Sequence, residues 1–203
     1  MIERLLLVTD RKQAAGPLAG ILGAAFAAGC RWASLREKDL PAEEQVRLAR
    51  DLLALARRFG ARLTLRGDPG LAMAAGVDGV HLPAGAGAAA ARAALGPHKL
   101  IGISIHGAAE ARRLDRTIDY AVLGPVHETA SKPGYGPALG VEGVRHIAGT
   151  TAVPVIAIGG ITPERIADVM SAGAAGVAVM GSVMRSPDPG EEVRALLAAL
   201  QRC

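Results

Sequence analysis

The stretch Pro154-Val155-Ile156-Ala157-Ile158-Gly159-Gly160-Ile161-Thr162-Pro163-Glu164 joins an apolar run of strand length to the start of a helix. The run has no polar alternation, which is typical of a strand in a parallel sheet that is covered on both faces. Thr162 is a residue type that caps helices, and Pro163 suits the first helical position because an N–H there would have no partner in the helix. The stretch therefore predicts a β-strand that turns directly into an α-helix.

Gly159 and Gly160, between this strand and this helix, allow two interpretations. Glycines are required wherever a tight turn needs backbone angles that other residues avoid. They also let backbone N–H groups come close to a bound anion, which the start of a helix favours. The pair alone does not separate a bare turn from an anion site.

The same strand-then-helix pattern repeats along the whole chain. The predicted strands are Arg4–Thr9, Trp32–Arg36, Arg62–Arg66, Gly79–Leu82, Leu100–Ser104, Asp119–Leu123, Pro154–Ile158 and Gly176–Met180. Helix-like stretches follow the strands, and several of them end in alanine and glycine, which is the usual end of a helix before a strand. Eight such units predict a single (β/α)8 TIM-barrel domain over residues 1–203. The alternative, an open doubly wound sheet, usually has fewer strands and a dinucleotide fingerprint that this sequence lacks.

The composition narrows the class of protein. The 203 residues are 50% hydrophobic and 2% aromatic, and the formal net charge of +4 comes from basic residues spread among acidic ones. Dispersed charge and few aromatic rings argue against nucleic-acid binding. Cys30 and Cys203 fit no disulfide or metal pattern, and the apolar run from Leu5 to Val8 is too short for a signal peptide or a membrane span. We therefore predict a cytoplasmic protein that binds neither nucleic acid nor membranes.

Polar residues cluster where the predicted strands end, which is the end of a TIM barrel that carries the active site. The loops after the seventh and eighth strands of such barrels commonly bind phosphate, and Gly181 and Ser182 follow the eighth strand here. Together with Gly159 and Gly160 they would supply backbone N–H donors, and Ser182 would add its hydroxyl. This pairing favours the anion interpretation and predicts a phosphate site at these four residues.

Several motifs carry a family resemblance: Leu7-Val8-Thr9-Asp10, Leu35-Arg36-Glu37-Lys38, Gly79-Val80-His81-Leu82, Gly102-Ile103-Ser104-Ile105-His106, Gly124-Pro125-Val126 and Ala157-Ile158-Gly159-Gly160-Ile161. In their order and spacing these motifs resemble the thiamine phosphate synthase/TenI superfamily. The resemblance implies a TIM barrel that acts on a small-molecule thiazole phosphate in thiamine biosynthesis. It is also compatible with a homo-oligomer, since superfamily members are often dimers or larger assemblies.

The resemblance covers two activities, and the sequence departs from one of them. Synthases join a pyrimidine diphosphate to the thiazole phosphate and release pyrophosphate with Mg²⁺. Their pattern has an Asn-Asp pair after the third strand and a Gly-Gln-x-Asp run after the fourth. Those positions are Arg66-Gly67 and Pro83-Ala84-Gly85-Ala86 here, so both expected Mg²⁺-binding aspartates are absent.

The other branch resembles TenI-type thiazole tautomerases, which aromatise a thiazole carboxylate phosphate without a metal. Leu82-Pro83 and Glu128-Thr129 are similar to that branch. The main prediction is therefore a thiazole tautomerase, an isomerase that needs no cofactor. The first alternative is a thiamine phosphate synthase, a transferase that would use Mg²⁺, and the second is a non-catalytic binder of a phosphate ligand.

The resemblance also suggests roles for individual side chains. The tautomerase pattern has its catalytic histidine where this chain has Pro125, so we consider His127 as the proton shuttle, because residues two apart in an extended segment point the same way. A loop histidine without a special role is the alternative. Substrate binding is predicted for three cations that suit a carboxylate and for three residues that match family positions: Arg36, Lys38, Arg66, Ser104, Thr129 and Lys132.

Overall fold

A computed structural model of the chain describes residues 2–129 and 138–203, and its eight strands form a closed parallel barrel in sequence order. Each strand pairs with the next, and β8 returns to β1 through the partners Leu5 and Val177. The predicted (β/α)8 TIM barrel is thus confirmed. The strands are β1 (Leu5–Val8), β2 (Trp32–Leu35), β3 (Arg62–Arg66), β4 (Gly79–Leu82), β5 (Leu100–Ile105), β6 (Tyr120–Leu123), β7 (Val155–Ile158) and β8 (Gly176–Val179).

Helices follow the strands, as the repeat predicted. Within the described residues they are α1 (Leu18–Ala27), α2 (Ala42–Arg58), α3 (Pro69–Ala75), α4 (Ala88–Leu95), α5 (Ala108–Ala111), α6 (Gly140–Ala148), α7 (Ile166–Ser171), α8 (Gly181–Met184) and α9 (Pro189–Gln201). No helix in these two ranges has the length and apolar character of a membrane span. The short helix α8 was not predicted, because its four residues are too few to show a helical period in the sequence.

The start of the helical segment after β7 differs from the prediction. Thr162 lies at the N-cap position, but its side chain makes no capping hydrogen bond to the backbone. Its hydroxyl bonds instead to the Glu164 carboxylate, and this hydrogen bond is the main cause of the lowered pKa of Glu164. Pro163–Arg165 form a 3-10 turn, and α7 begins only at Ile166. The predicted cap is therefore wrong, although proline does stand at the first position of the turn.

Two apolar clusters follow from the fact that neighbouring strand residues face opposite sides of the sheet. The larger cluster lies between strands and helices, as Leu7 of β1 and Leu22 of α1 show. The smaller cluster fills the barrel interior and consists of Leu6, Val8, Trp32, Tyr120, Val122, Ile156 and Ala178. Trp32 and Tyr120 meet edge to face there, with 4.6 Å between their ring centroids. Four members of this cluster, Leu6, Val8, Val122 and Ala178, also line a cavity at the ends of the strands.

Candidate functional site

A cavity of about 710 Å³ lies at the ends of the strands, where the sequence predicted the site. Its size is within the range of small-molecule pockets. Nine of the residues predicted to bind substrate or phosphate lie on its wall: Arg36, Lys38, Arg66, Ser104, Thr129, Gly159, Gly160, Gly181 and Ser182. Lys132, the tenth, lies outside the described residues.

Gly159 and Gly160 are glycines for reasons that the backbone explains. Their φ angles are 106° and 60°, a region that side chains rarely adopt. A Cβ on Gly159 would lie 2.8 Å from Cα of Pro125, and one on Gly160 would lie 2.6 Å from the carbonyl oxygen of Glu128. The turn interpretation thus accounts for both glycines by itself. Both also line the cavity, so their role in anion binding stays a prediction.

Gly181 and Ser182 lie beside this turn because β7 and β8 are hydrogen-bonded neighbours. They begin α8, whose Met184 N–H donates to the Met180 carbonyl oxygen at 2.9 Å. The N–H groups of Gly181 and Ser182 come before this first hydrogen bond of the helix. Like the first N–H groups of any helix, they have no acceptor within the helix itself. The four residues predicted for phosphate form one continuous wall of the cavity.

Arg36, Lys38 and Arg66 form another part of the wall, which we call the cationic wall. Leu35 of β2 pairs with Leu65 of β3. Arg36 and Arg66, which follow these leucines, therefore lie beside each other. The pKa of Lys38 is lowered by burial first and then by the charges of Arg66 and Arg36. The three cations are therefore close enough to repel one another, as expected of a site for an anion.

Glu37 lies between Arg36 and Lys38 in sequence but faces the protein interior. Only 4% of the residue is exposed. Its carboxylate accepts hydrogen bonds from the Thr9 hydroxyl at 2.7 Å and from the Arg11 backbone N–H at 3.1 and 3.2 Å. The same Thr9 hydroxyl accepts from the Arg36 backbone N–H at 2.9 Å. This network ties the ends of β1 and β2 together and fixes the backbone that carries the cationic wall.

A buried polar group lies below the cationic wall. The Nε2 atom of His81 hydrogen-bonds to the Ser104 hydroxyl at 2.9 Å, and its Nδ1 atom to the Tyr120 hydroxyl at 3.3 Å. Burial, aided by the charge of Arg66, lowers the pKa of His81 to about 3. The imidazole is therefore neutral near pH 7, and it holds the Ser104 side chain at the cavity wall.

His127 does not join the other predicted residues. It is absent from the described cavity wall, and the charges that act on its ring are those of Arg165 and Asp168, in the turn before α7 and in α7. The argument from extended alternation does not hold because the chain bends at Val126 and His127. The Val126 N–H donates to the Ile158 carbonyl at 2.9 Å and the His127 N–H to the Gly159 carbonyl at 3.0 Å. The position of His127 gives the proton-shuttle hypothesis no support.

Two backbone hydrogen bonds join the residues before His127 to those that lead into α6. The Leu139 N–H donates to the Pro125 carbonyl oxygen at 3.0 Å, and the Gly140 N–H donates to the Val126 carbonyl oxygen at 2.9 Å. The chain thus leaves the barrel after Val126 and returns to the same place at Leu139. Pro125 lines the cavity, so the chain returns to a point next to the cavity wall.

Two arginines on the cavity wall were missed in the sequence. Arg165 and Arg185 line the cavity on the side of the glycine turn. The Arg165 guanidinium donates to the Gly160 carbonyl oxygen at 2.8 Å, and the Arg185 guanidinium hydrogen-bonds to Gln13. A signal was present for Arg185, since it lies four residues after Gly181 and so on the same helical face. These arginines add positive charge to the wall predicted to hold phosphate.

The donors needed for a resident Mg²⁺ are scarce on this wall. Mg²⁺ in proteins is usually held through one or two carboxylates together with substrate phosphates. Of the carboxylates in the described residues, only Glu128 lines the cavity, and it follows β6, across the barrel from the cationic wall. After β4 the wall presents Pro83 and Ala84, and no group of three metal-binding side chains occurs in the described ranges. The residues next to the cationic wall do not fit a Mg²⁺ site.

Known proteins match this chain over most of its length. The family TMP-TENI, described as thiamine monophosphate synthase, matches residues 5–183. The putative thiamine-phosphate synthase of Geobacter sulfurreducens is 44% identical over 199 residues, which cover 97% of this chain and 93% of that protein. The thiamine-phosphate synthase of Roseiflexus sp. strain RS-1 is 38% identical over 202 residues, which cover 96% and 84%.

A solved structure shows the same likeness. The thiamine phosphate pyrophosphorylase from Pyrococcus furiosus superposes with a TM-score of 0.87 at 27% sequence identity, over 98% of this chain and 96% of that one. The superfamily resemblance seen in the sequence motifs is therefore confirmed by the family match, by the relatives and by the fold. The chain belongs to the thiamine monophosphate synthase family, TMP-TENI, and is an enzyme of thiamine biosynthesis.

Proposed function

We propose that this protein is a thiamine-phosphate synthase, which joins a pyrimidine diphosphate to a thiazole phosphate. The observation that carries the proposal is one cavity with anion-attracting groups on facing walls. The glycine turns follow β7 and β8, and the cationic wall follows β2 and β3. Strands four positions apart face each other across an eight-stranded barrel, so two phosphorylated substrates would bind with their reactive ends between the walls.

The charge that develops in this reaction suits the cationic wall. A ring nitrogen of the thiazole forms a bond to the methylene carbon of the pyrimidine, and the bond from that carbon to the diphosphate oxygen breaks. The electron pair of the broken bond leaves with the diphosphate, so negative charge grows there. Arg36, Lys38 and Arg66 are placed to stabilise this charge, which is the usual way such side chains lower a barrier.

The proposal differs from the tautomerase that the sequence analysis favoured. That prediction relied on the missing aspartates and on His127 as a proton shuttle. His127 is not on the described wall, and the relatives reported above are named for synthase activity. Formation of the N–C bond and cleavage of the C–O bond require no proton shuttle. The synthase therefore takes precedence.

Incubation of the protein with thiazole phosphate and the pyrimidine diphosphate tests the proposal. We expect thiamine phosphate and pyrophosphate to appear in equal amounts, measured by chromatography and by a coupled pyrophosphate assay. The variant Arg58→Gln, in the exposed last turn of α2, serves as a control and should keep full activity. Binding of both substrates without either product would contradict the proposal and support a non-catalytic binder.

Ser182 offers a test of the phosphate wall. In Ser182→Ala the hydroxyl that would bind the thiazole phosphate is lost, and the backbone N–H groups are kept. We expect KM for thiazole phosphate to rise by about tenfold, the usual cost of one hydrogen bond to a charged group. KM for the pyrimidine diphosphate should change much less, because its diphosphate binds at the facing wall. Ser171→Ala, at the exposed end of α7, is the matched control. Equal KM values for Ser182→Ala and wild type would remove Ser182 from the phosphate site.

A TenI-type tautomerase is the second candidate, because the described wall after β3 and β4 carries no carboxylate. For that reaction the cationic wall would bind the thiazole carboxylate instead of a diphosphate. Incubation with the thiazole carboxylate tautomer alone separates the two candidates. Aromatisation without a pyrimidine substrate, together with no release of pyrophosphate in the synthase assay, would reverse their order.

A further inference from the structure

The cationic wall brings three positively charged side chains together at the cavity surface. Arg36, Lys38 and Arg66 all line the cavity, and the pairing of Leu35 with Leu65 sets Arg36 beside Arg66. The pKa of Lys38 is lowered by burial first and then by the charges of these two arginines. Ordinary packing gives no reason to hold three cations together at a cavity surface. A site for a multiply charged anion does give such a reason.

Three carboxylates lie near this wall, and one of them pairs with Arg36. Asp10 lies 3.4 Å from the Arg36 guanidinium and also accepts from the Lys12 backbone N–H at 3.1 Å. Glu37 is buried among the backbone groups described above. Asp68 caps α3 by accepting from the backbone N–H groups of Gly70 and Leu71 at 2.6 and 3.2 Å. None of these three belongs to the cavity wall, and residues 130–137 contain no aspartate or glutamate.

We infer that the cationic wall binds a diphosphate group directly, without a divalent cation between protein and ligand. Guanidinium groups bind phosphate oxygens through two parallel hydrogen bonds, and an ammonium adds a third compact charge. Arg36 directly follows β2 and Arg66 ends the neighbouring strand β3, so they can hold neighbouring phosphoryl groups of one diphosphate. The inference rests on the proposed function only for the source of the diphosphate, which would be the pyrimidine substrate.

Binding of inorganic pyrophosphate tests this inference without any turnover. Calorimetric titration of the full chain in EDTA should show saturable binding, and Mg²⁺ should not strengthen it. In Arg66→Gln, affinity should fall about tenfold or more, as expected when a charge-assisted hydrogen bond is lost. Lys38→Gln should also weaken binding, and this exposed position carries no risk to folding. Arg58→Gln, the same chemical change in the exposed last turn of α2, should bind like wild type.

Two results would overturn the inference. One is binding that appears only when Mg²⁺ is present, and the other is binding in EDTA that neither Arg66→Gln nor Lys38→Gln weakens. Failure of the proposed function gives a different pattern. Pyrophosphate binding in EDTA that depends on Arg66, in a protein that makes no thiamine phosphate, would reject the synthase and support the diphosphate site.

Discussion

Replacement of Gly102 by alanine is expected to lower the free energy of unfolding by about 3 kcal/mol, the upper part of the range for overpacked cores. An added Cβ would lie 2.0 Å from Cζ of Tyr120. The Tyr120 ring cannot move aside, because it is fully buried, packs on the edge of Trp32 and hydrogen-bonds to His81. Urea denaturation of both proteins, followed by circular dichroism, measures the difference.

A matched glycine separates crowding from a general effect of alanine. Gly23 lies within α1, and a Cβ there would meet nothing within 4 Å. Alanine at that position should stabilise the protein by about 0.5–1 kcal/mol, because it favours the helix over the unfolded chain. If Gly102→Ala unfolds at the same urea concentration as wild type, the barrel interior has room that the packing does not show.

Acid is expected to destabilise the protein through His81. The pKa of this imidazole falls from 6.5 to about 3 on folding, because burial disfavours the charged ring. Between these values the unfolded chain binds a proton that the folded chain does not. Stability is therefore highest above pH 6.5 and falls as the pH decreases towards 3, by up to about 5 kcal/mol from this residue.

Denaturation at pH 7 and at pH 4.5 tests this expectation in wild type and in His81→Gln. The variant should be less stable than wild type at pH 7, because its side chain cannot reproduce both hydrogen bonds, but the difference should shrink at pH 4.5. His98→Gln, at an exposed position before β5, should follow wild type at both pH values. A difference between wild type and His81→Gln that is the same at both pH values would show that folding does not lower the pKa of His81.

The fold was predictable because its signals are local and repeated. Seven of the eight strands either have the predicted bounds, as β3 and β4 do, or differ only at one end, as β7 does by the loss of Pro154. Apolar runs without alternation mark strands such as β1 and β7. Glycines with positive φ mark the helix ends, as at Gly29 and Gly173. A closed parallel barrel follows from eight such units in a row.

The site was predictable only where it depends on strand ends. Arg36, Arg66 and Ser104 were identified because they belong to or directly follow predicted strands. The direction of His127 was not predictable because it depends on a bend after β6. Arg165 was missed because a turn brings it back over Gly160. The missing aspartates led the sequence analysis to favour the tautomerase, whereas the relatives named above favour the alternative, the synthase.

The two backbone hydrogen bonds at Pro125 and Val126 have a consequence for the evolution of this enzyme. They close the path between Val126 and Leu139 independently of how many residues that path contains. Doubling the number of residues between two joined points costs only about 0.6 kcal/mol, so insertions here would leave the barrel nearly as stable as before. Because Pro125 lines the cavity, descendants of this sequence can change the length of the chain that follows it, next to the cavity, while the barrel keeps its stability.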